Sequence, residues 1–518
     1  MSTSILWVDD EIDLLRAHII YLEQKGYSIK TATNGSDAID IVTKEHFDLI
    51  FLDENMPGIT GLQALARIKQ IRPSVPVVMI TKSEEENIMD QAVGAKIDDY
   101  LIKPVNPNQI LLSIKKHVHN RQLVTDKTTA DYRSAFADIG GQISMARTID
   151  DWFSIHQKLT RWRIQLIEST DQGMSEVFSM QMNEANNAFG KFIKLNYGNW
   201  MKPNATDRPN MSHNLLRSQV FPVIDAGQSV LLLLIDNLRY DQWKTLESLI
   251  APYWRVEKEM IYCTIIPTAT QYARNALFSG LMPAEIHKLH PDYWIFDEED
   301  DGKNLFEEEL LTRQLQRLGK NYKMYYEKGS TMKGKSSLWS NPKKLLDNQL
   351  NVLVYNFIDV ISHARTEMEM MRQLASDEAA YLSLTASWFK HSDLFAFLKE
   401  VAELNIKLII TTDHGTVRVQ NPIKVIGDKA TSTNLRYKLG RNLNYNPKEV
   451  FEVRKPEEFN LPKPNVSSSY IFALGYDFMA YPNNYNHYVK YFRDTFQHGG
   501  ISLEEMLVPY VELSPIKQ

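Results

Sequence analysis

The chain has 518 residues, 43% of them hydrophobic, 10% aromatic and 24% charged, which makes it too long for one ordinary core and too apolar to be disordered. A formal net charge of −6 argues against a broad basic surface for nucleic acid, and the single cysteine, Cys263, excludes an intramolecular disulfide and a metal site built from thiolates. Any metal must therefore rest on Asp, Glu and His. MSTSILWVDDE has no basic stretch followed by an apolar core, and the strongest apolar run, VLLLLI at 230–235, is short, so the expectation is a cytoplasmic chain with no membrane insertion.

Residues 1–120 alternate short apolar runs with helical periods. SILWV, SIKTA, FDLIFLD, VPVVMIT and DDYLIKP are the strand candidates, and this alternation predicts a parallel sheet. Residues 121–205 lose the strands and show helical spacing, as in IDDWFSIHQKLTRWRIQLIES and SEVFSMQMNEANNAFGKFIKLNYGNWM. A helical bundle is expected there, acting as a coupler, with an aromatic stripe including Trp152, Trp162 and Phe192 as its own core. Beyond the turn-rich KPNATDRPN, residues 206–518 resume the alternation in SVLLLLID, EMIYCTII, NVLVYNFID and IKLIITTD, which predicts a larger α/β domain.

In the first segment Asp9 and Asp10 close the first strand, Asp53 the third and Thr81 the fourth, while Lys103 stands before Pro104 after the fifth. The carboxyl ends of parallel strands converge on one crevice. Three carboxylates gathered there repel unless a divalent cation neutralises them, and oxygen ligation with open water positions suits Mg²⁺. A lysine and a hydroxyl close by would hold the oxygens of a phosphoryl group on Asp53. With these residues and FLDENMPG, the first 120 positions resemble the receiver domain of bacterial response regulators. The resemblance implies a doubly wound parallel-sheet receiver phosphorylated on Asp53 by a sensor histidine kinase. It also implies Mg²⁺ on Asp10, Asp53 and the backbone carbonyl of Asn55, with Asp9 just behind them, and Thr81 and Tyr100 as the switch pair.

The α/β sequence of residues 206–518 is far more than a small helix-turn-helix output requires, so an enzymatic output is expected. LLLLID ends in Asp236, VLVYNFID in Asp359 and KLIITTD in Asp413. An acid beside an imidazole at a strand end, as in Asp413–His414, is on its own an ordinary polar turn. Three such endings put carboxylates where α/β folds build their sites. His363 follows Asp359 by four residues, one helix face apart, and His498 lies in QHGGIS, whose glycines allow close backbone approach. Three carboxylates and three imidazoles suffice for three protein ligands on each of two metals with a position open on each, as in catalytic zinc sites. IIPTATQYARNALFSG puts Thr270 at a helix N-terminus, where its hydroxyl could meet a metal and the free N–H groups an anion; Thr268 is a capping candidate.

ID at 235–236, PTATQYAR, YNFIDVISH, TTDHG and HGGISLEEMLVP are similar to the alkaline phosphatase superfamily in its PglZ branch, over about residues 210–518. This resemblance implies an alkaline-phosphatase-like α/β domain with one zinc on Asp359, His363 and His498. A second zinc would sit on Asp236, Asp413 and His414 beside the nucleophile Thr270. Manganese also suits such ligands. A threonine nucleophile leans toward diesterases and so toward nucleotide or oligonucleotide phosphodiesters. Arg239, Asn237 and Arg274 are candidates for phosphate contacts or for salt bridges. The whole arrangement resembles the PorX-type response regulators, which implies type IX secretion signalling, homodimers on phosphorylation, and secretion-system or transcription components as partners. Two other readings stay open: a phosphorylation-controlled protein-binding regulator with a metal-stabilised, non-essential site, and a phosphomonoesterase or phosphomutase.

Overall fold

The computed structural model describes residues 3–73, 75–81, 97–169, 172–296, 304–329, 341–367, 375, 377–428, 431–482 and 484–516. They form two compact units, Met1–Tyr132 with Ser169–Asp171, and Arg133–Glu168 with Gln172–Gln518.

In the first unit, strands β1 (Ser4–Val8), β2 (Ser28–Ala32), β3 (Leu49–Asp53), β4 (Val77–Thr81) and β5 (Asp99–Ile102) make one sheet in the order β2-β1-β3-β4-β5. Every pairing is parallel. Alternate residues of these strands feed two cores. Leu6, Ile50, Leu52 and Met79 meet Ala38, Leu65 and Ile68, while Trp7, Phe51 and Ile80 meet Leu22, Ile110 and Ile114. Helices therefore cover both faces, which is why the central strands β1, β3 and β4 read as apolar runs rather than as an alternation. The doubly wound sheet expected from the sequence is the one observed. The helices start on side-chain caps: Asn34 accepts from the Asp37 N–H, while Thr60 with Gln63 and Asn106 with Gln109 form reciprocal capping boxes.

The second unit holds β6 (Val230–Ile235), β7 (Trp254–Cys263), β8 (Met324–Gly329), β9 (Leu350–Tyr355), β10 (Lys407–Thr411), β11 (Val417–Arg418), β12 (Asn421–Lys424), β13 (Tyr437–Gly440), β14 (Val450–Val453), β15 (Ser469–Ala473), β16 (Asp477–Ala480), β17 (Phe496–Gln497) and β18 (Leu507–Pro515). Its main sheet has the order β7-β18-β10-β6-β9-β8, and β18 alone runs against the rest. Strands β10, β6 and β9 are neighbours in register, Thr411 beside Leu234 and Leu234 beside Val354. The acids that follow them thus emerge on one sheet edge. Strand β11 pairs antiparallel with β17, tying the segment after His414 to the segment before His498. Strands β8 and β18 and the small sheets were not among the sequence-derived strands. Among the described residues, no helix is long and apolar enough to cross a membrane.

The helix Ile149–Ser169, up to Glu168, and the helix Gln172–Trp200 belong to this second unit. Their aromatic stripe packs partly on itself, Trp152 lying 5.3 Å from Phe189 and 6.0 Å from Phe192 between ring centroids. It is also shared, since Tyr197 stacks on Phe459 at 6.2 Å. Arg163, buried, donates to Asp241 Oδ2 at 2.7 Å and to Glu504 Oε1 at 2.8 Å, and Arg239 also pairs with Asp241. Burial alone would raise both carboxyls, but the two guanidiniums outweigh it and hold Asp241 and Glu504 low. A depressed carboxyl adds stability that is complete above its unfolded value, about 4, and is lost as pH falls through its folded value. The contribution of these two acids, read as the difference in stability between wild type and Asp241→Asn, should therefore stay level from neutral pH to about 5 and shrink below about 4. Asp241→Asn should remove about 3–5 kcal/mol at neutral pH and flatten the acid limb, as calorimetry across pH would read.

Candidate functional site

Asp9, Asp10 and Asp53 bring carboxylate oxygens within 4.8 Å of one another. Asp9 and Asp53 are buried at the ends of β1 and β3, and Asp10 is exposed beside them. Lys103 reaches into the cluster, with Nζ 2.9 Å from Asp9 Oδ2 and 3.0 Å from Asp53 Oδ1. Its own N–H donates to the Thr81 carbonyl at 2.7 Å, so the ends of β4 and β5 are locked beside Asp53. Thr81 is buried, Asn55 is exposed just past β3, and Tyr100 is 43% exposed on β5. Burial raises the Asp53 carboxyl above its usual range, helped by Asp9 and Asp10 and opposed by Lys103.

In the second unit two triads stand next to each other. Asp236, Asp413 and His414 offer ligand atoms within 4.8 Å of one another and are all buried; Asp359, His363 and His498 do the same nearer the surface. His363 is the open member, with 62% of its side chain exposed. The rings of His414 and His498 stack with centroids 4.2 Å apart, so the triads are contiguous. Asn237 lies between them with a positive φ of 65°, its N–H 3.5 Å from Asp413 Oδ1 and its side-chain amide 3.5 Å from Asp359 Oδ1.

Two hydrogen bonds fix the imidazoles. His414 Nδ1 is 3.1 Å from the Gly415 carbonyl and His498 Nδ1 is 3.1 Å from the Thr268 carbonyl. A carbonyl only accepts, so each Nδ1 carries the proton and each Nε2 turns its lone pair inward. Those nitrogens also look onto carboxylates: His414 Nε2 is 3.8 Å from Asp236 Oδ1, and His498 Nε2 is 3.8 Å from Asp359 Oδ1. Asp236 Oδ1 is buried without a hydrogen bond. Acceptors gathered around gaps with no proton between them fit a divalent cation, and oxygen with imidazole nitrogen suits zinc or manganese. Burial raises Asp236, opposed by Arg274 and helped by Asp413 and Asp359; burial also lowers His498.

Thr270 is the first residue of the helix Thr270–Ser279, whose cap is Ala269. Its Oγ lies 3.1 Å from His414 Nε2. The sequence reading of Thr268 as a cap is corrected: its buried hydroxyl donates to the Gly500 carbonyl at 2.9 Å and accepts from the Gly499 N–H at 2.9 Å. Gly499 has φ +121°, a conformation that L side chains rarely adopt. Of the three candidate phosphate contacts, Asn237 lies between the triads, Arg274 touches the buried triad as a salt-bridge partner, and Arg239 pairs elsewhere. Arg274 is fully buried, with Nη2 2.5 Å from Asp236 Oδ2 and Nε donating to Asp413 Oδ2 at 3.0 Å. Arg239 pairs with Asp241 and, at 2.8 Å, with Glu378. Glu505 went unnoticed in the sequence, yet it accepts from the Gly500 N–H at 2.9 Å and pairs with Arg436 at 2.6 Å. The spacing Ser502-x-x-Glu505, a capping-box pattern, was the available signal.

A sheet crevice lined with acids in one unit, and two acid–imidazole triads at a sheet edge in the other, define a receiver joined to an alkaline-phosphatase-like α/β domain. The chain belongs to the family described as BREX system PglZ alkaline phosphatase-like domain, whose model matches residues 215–513. The response regulator receiver domain matches residues 5–115 and the PorX response regulator linker domain residues 122–201, so the architecture is PorX-type. Among curated relatives, the transcriptional regulatory protein ResD of Bacillus subtilis is 38% identical over 114 residues, 22% of this chain and 47% of ResD. The transcriptional regulatory protein SrrA of Staphylococcus aureus is 30% identical over 125 residues, 24% of this chain and 52% of SrrA. The chain thus spans about half the length of these relatives. A CheY-like response regulator receiver domain protein from Methanospirillum hungatei is a similar solved structure, 28% identical, with a TM-score of 0.23 over 23% of this chain and 96% of that one.

The cation beside Asp53 yields a direct test. Lys103→Met should move the Asp53 titration further upward, followed by carbon NMR of the labelled carboxyl; an unmoved titration would mean that the ion pair is absent in solution.

Proposed function

We propose that the chain is a cytoplasmic response regulator in which phosphorylation of Asp53 controls a two-metal phosphodiesterase. Residues 1–120 act as the receiver, 121–205 as the helical linker and 206–518 as the output domain. The cognate partner is a sensor histidine kinase, with Mg²⁺ on Asp10, Asp53 and the Asn55 carbonyl and Asp9 behind them. Lys103 holds the phosphoryl oxygens, and Thr81 and Tyr100 report its arrival. The output acts on nucleotide or oligonucleotide diesters within type IX secretion signalling, with secretion-system or transcription components downstream.

The observation that carries this reading is Thr270 Oγ at 3.1 Å from His414 Nε2, with the second triad one ring stack away at 4.2 Å. Two zinc ions, one held by Asp359, His363 and His498 and the other by Asp236, Asp413 and His414, would lower the pKa of the Thr270 hydroxyl and neutralise charge developing at phosphorus. The first-turn N–H groups of the Thr270 helix bind the non-bridging oxygens. Thr270 Oγ forms a bond to phosphorus as the opposite P–O ester bond breaks in line, and its proton ends on the departing alcohol. Water then cleaves the phosphothreonine, restoring the hydroxyl and releasing a phosphomonoester and a proton. The exposed His363 side leaves room for the second ester group.

A second reading rests on Arg274. Its guanidinium lies against Asp236 and Asp413, so the buried triad is partly neutralised by the chain itself, as in a binding regulator whose metal is not essential. Activity separates the two. Thr270→Ala and Asp359→Ala should each reduce hydrolysis of bis(p-nitrophenyl) phosphate by at least about 10³-fold while keeping the wild-type melting temperature; retained turnover would refute the assignment. Faster turnover of p-nitrophenyl phosphate, with zinc or with manganese, would mark a monoesterase instead.

Receiver phosphorylation is expected to pair two chains. Sedimentation should show the dimer fraction rising when beryllofluoride and Mg²⁺ are added, and staying at its starting level in Asp53→Asn; a wild-type chain that remains monomeric would remove the dimer from this scheme.

A further inference from the structure

The helical segment grips the turn beside the metal triads at Glu504. Its carboxylate is fully buried and held from three sides: Arg163 Nη2 donates to Oε1 at 2.8 Å, Asn186 Nδ2 donates to Oε2 at 3.0 Å, and the Tyr476 hydroxyl donates to Oε1 at 3.2 Å. Asn186 also accepts from the Leu503 N–H at 2.8 Å, so one amide grips both the side chain and the adjoining backbone. Asn186 is 0% exposed.

The backbone of this gripped turn lies against both ligand histidines. A Cβ at Gly415 would sit 2.0 Å from the Glu504 carbonyl oxygen, so the residue after His414 is pressed flat on Glu504. The Gly415 N–H donates to the Glu505 carbonyl at 3.1 Å, and the Gly415 carbonyl accepts from His414 Nδ1 at 3.1 Å. On the other side the Glu505 carboxylate takes the Gly500 N–H, and Thr268 holds Gly499, Gly500 and the ring of His498. A displacement of Glu504 is therefore passed to Gly415 and His414 directly, and to His498 through Glu505 and the two glycines.

We infer that Asn186 and Arg163 are positioning residues for the two-metal centre, which makes the helical segment part of the metal site's supporting shell. This rests on the two-metal reading above. Groups that orient ligand imidazoles typically change metal affinity about 10–100-fold when removed. A residue serving only the helix packing would change melting temperature and leave affinity alone.

The test uses the full chain loaded with zinc, with affinity read by competition against a chromogenic chelator and coordination read from the visible spectrum of the cobalt-substituted protein. Asn186→Ala is expected to bind zinc about 10-fold more weakly, to shift the cobalt spectrum, and to lower kcat with KM nearly unchanged. Arg163→Lys, which keeps the charge but cannot bridge Asp241 and Glu504 together, should behave likewise. Phe189→Leu, a packing change against Trp152 on the same helix as Asn186, should lower melting temperature and leave zinc affinity at the wild-type value. Should either clamp variant lose cooperative melting, Tyr476→Phe removes one hydrogen bond to Glu504 and should weaken zinc binding about twofold to threefold. Wild-type affinity in Asn186→Ala, or equal weakening in Phe189→Leu, would overturn the inference alone. A wild-type chain that takes up no metal would overturn it together with the two-metal reading.

Discussion

Asp236, Asp413 and Glu307 converge on a single guanidinium, that of Arg274, where all four groups are withdrawn from water. Removing a charge from water costs several kcal/mol after relaxation, so acids gathered in this way are tolerable only with a cation among them. Arg274 supplies part of that charge. It also lies four residues beyond Thr270 on one helix, and side chains at that spacing share a face. The arginine that neutralises the acids thus fixes the rotation of the helix and aims the Thr270 hydroxyl at His414. Lys328, 2.8 Å from Glu307, answers a second of the three acids, so one residual negative charge and two inward-facing lone pairs remain, and those are what a divalent cation would find.

The receiver meets the same problem with softer means. Asp9 and Asp53 are partly neutralised by a lysine whose side chain is 15% exposed, a point charge on a flexible stem rather than a planar fork locked among buried acids. Lysine can follow a carboxylate that gains a phosphoryl group, because its three donors rotate. Arg274 cannot move without stranding two buried acids. The contrast matches a switch in one unit and a fixed scaffold in the other.

The receiver was almost fully legible because its central strands β1, β3 and β4 are buried on both faces, and each of those apolar runs ends on a residue that matters. Asp236 and Asp413 were legible for the same reason, since each follows a central strand, β6 or β10; Asp359, expected to close β9, lies instead in the first turn of the helix Phe357–Glu367, because the strand ends at Tyr355. What escaped notice was built by long-range contact. Strand β18 carries PYVEL, which alternates weakly and gains its place only by pairing with β7 and β10. The role of Thr268 depends on a loop 231 residues away in sequence, and no spacing rule reports that. The aromatic stripe at Trp152 and Phe192 was read as a closed core, while the stacking of Tyr197 on Phe459 shows a face that only the folded partner completes. Arg274 was seen as a phosphate contact or a salt bridge, and burial decided for the latter.

The two clamps on the helical segment limit how a signal can travel through it. Arg163 alone joins Asp241 and Glu504, and Asn186 holds a residue 318 positions away. Breaking a buried ion pair by removing one partner costs about 3–5 kcal/mol, more than the 1–3 kcal/mol typical of coupling between sites. Wholesale undocking of these helices is therefore too expensive to be the response to a single phosphoryl group. A shift of a few tenths of an ångström at Glu504 is affordable in that range, and Gly415 has no side chain to absorb it. The physical route open to regulation is small movement at fixed contacts, which alters ligand geometry without exposing the buried charges that hold the unit together.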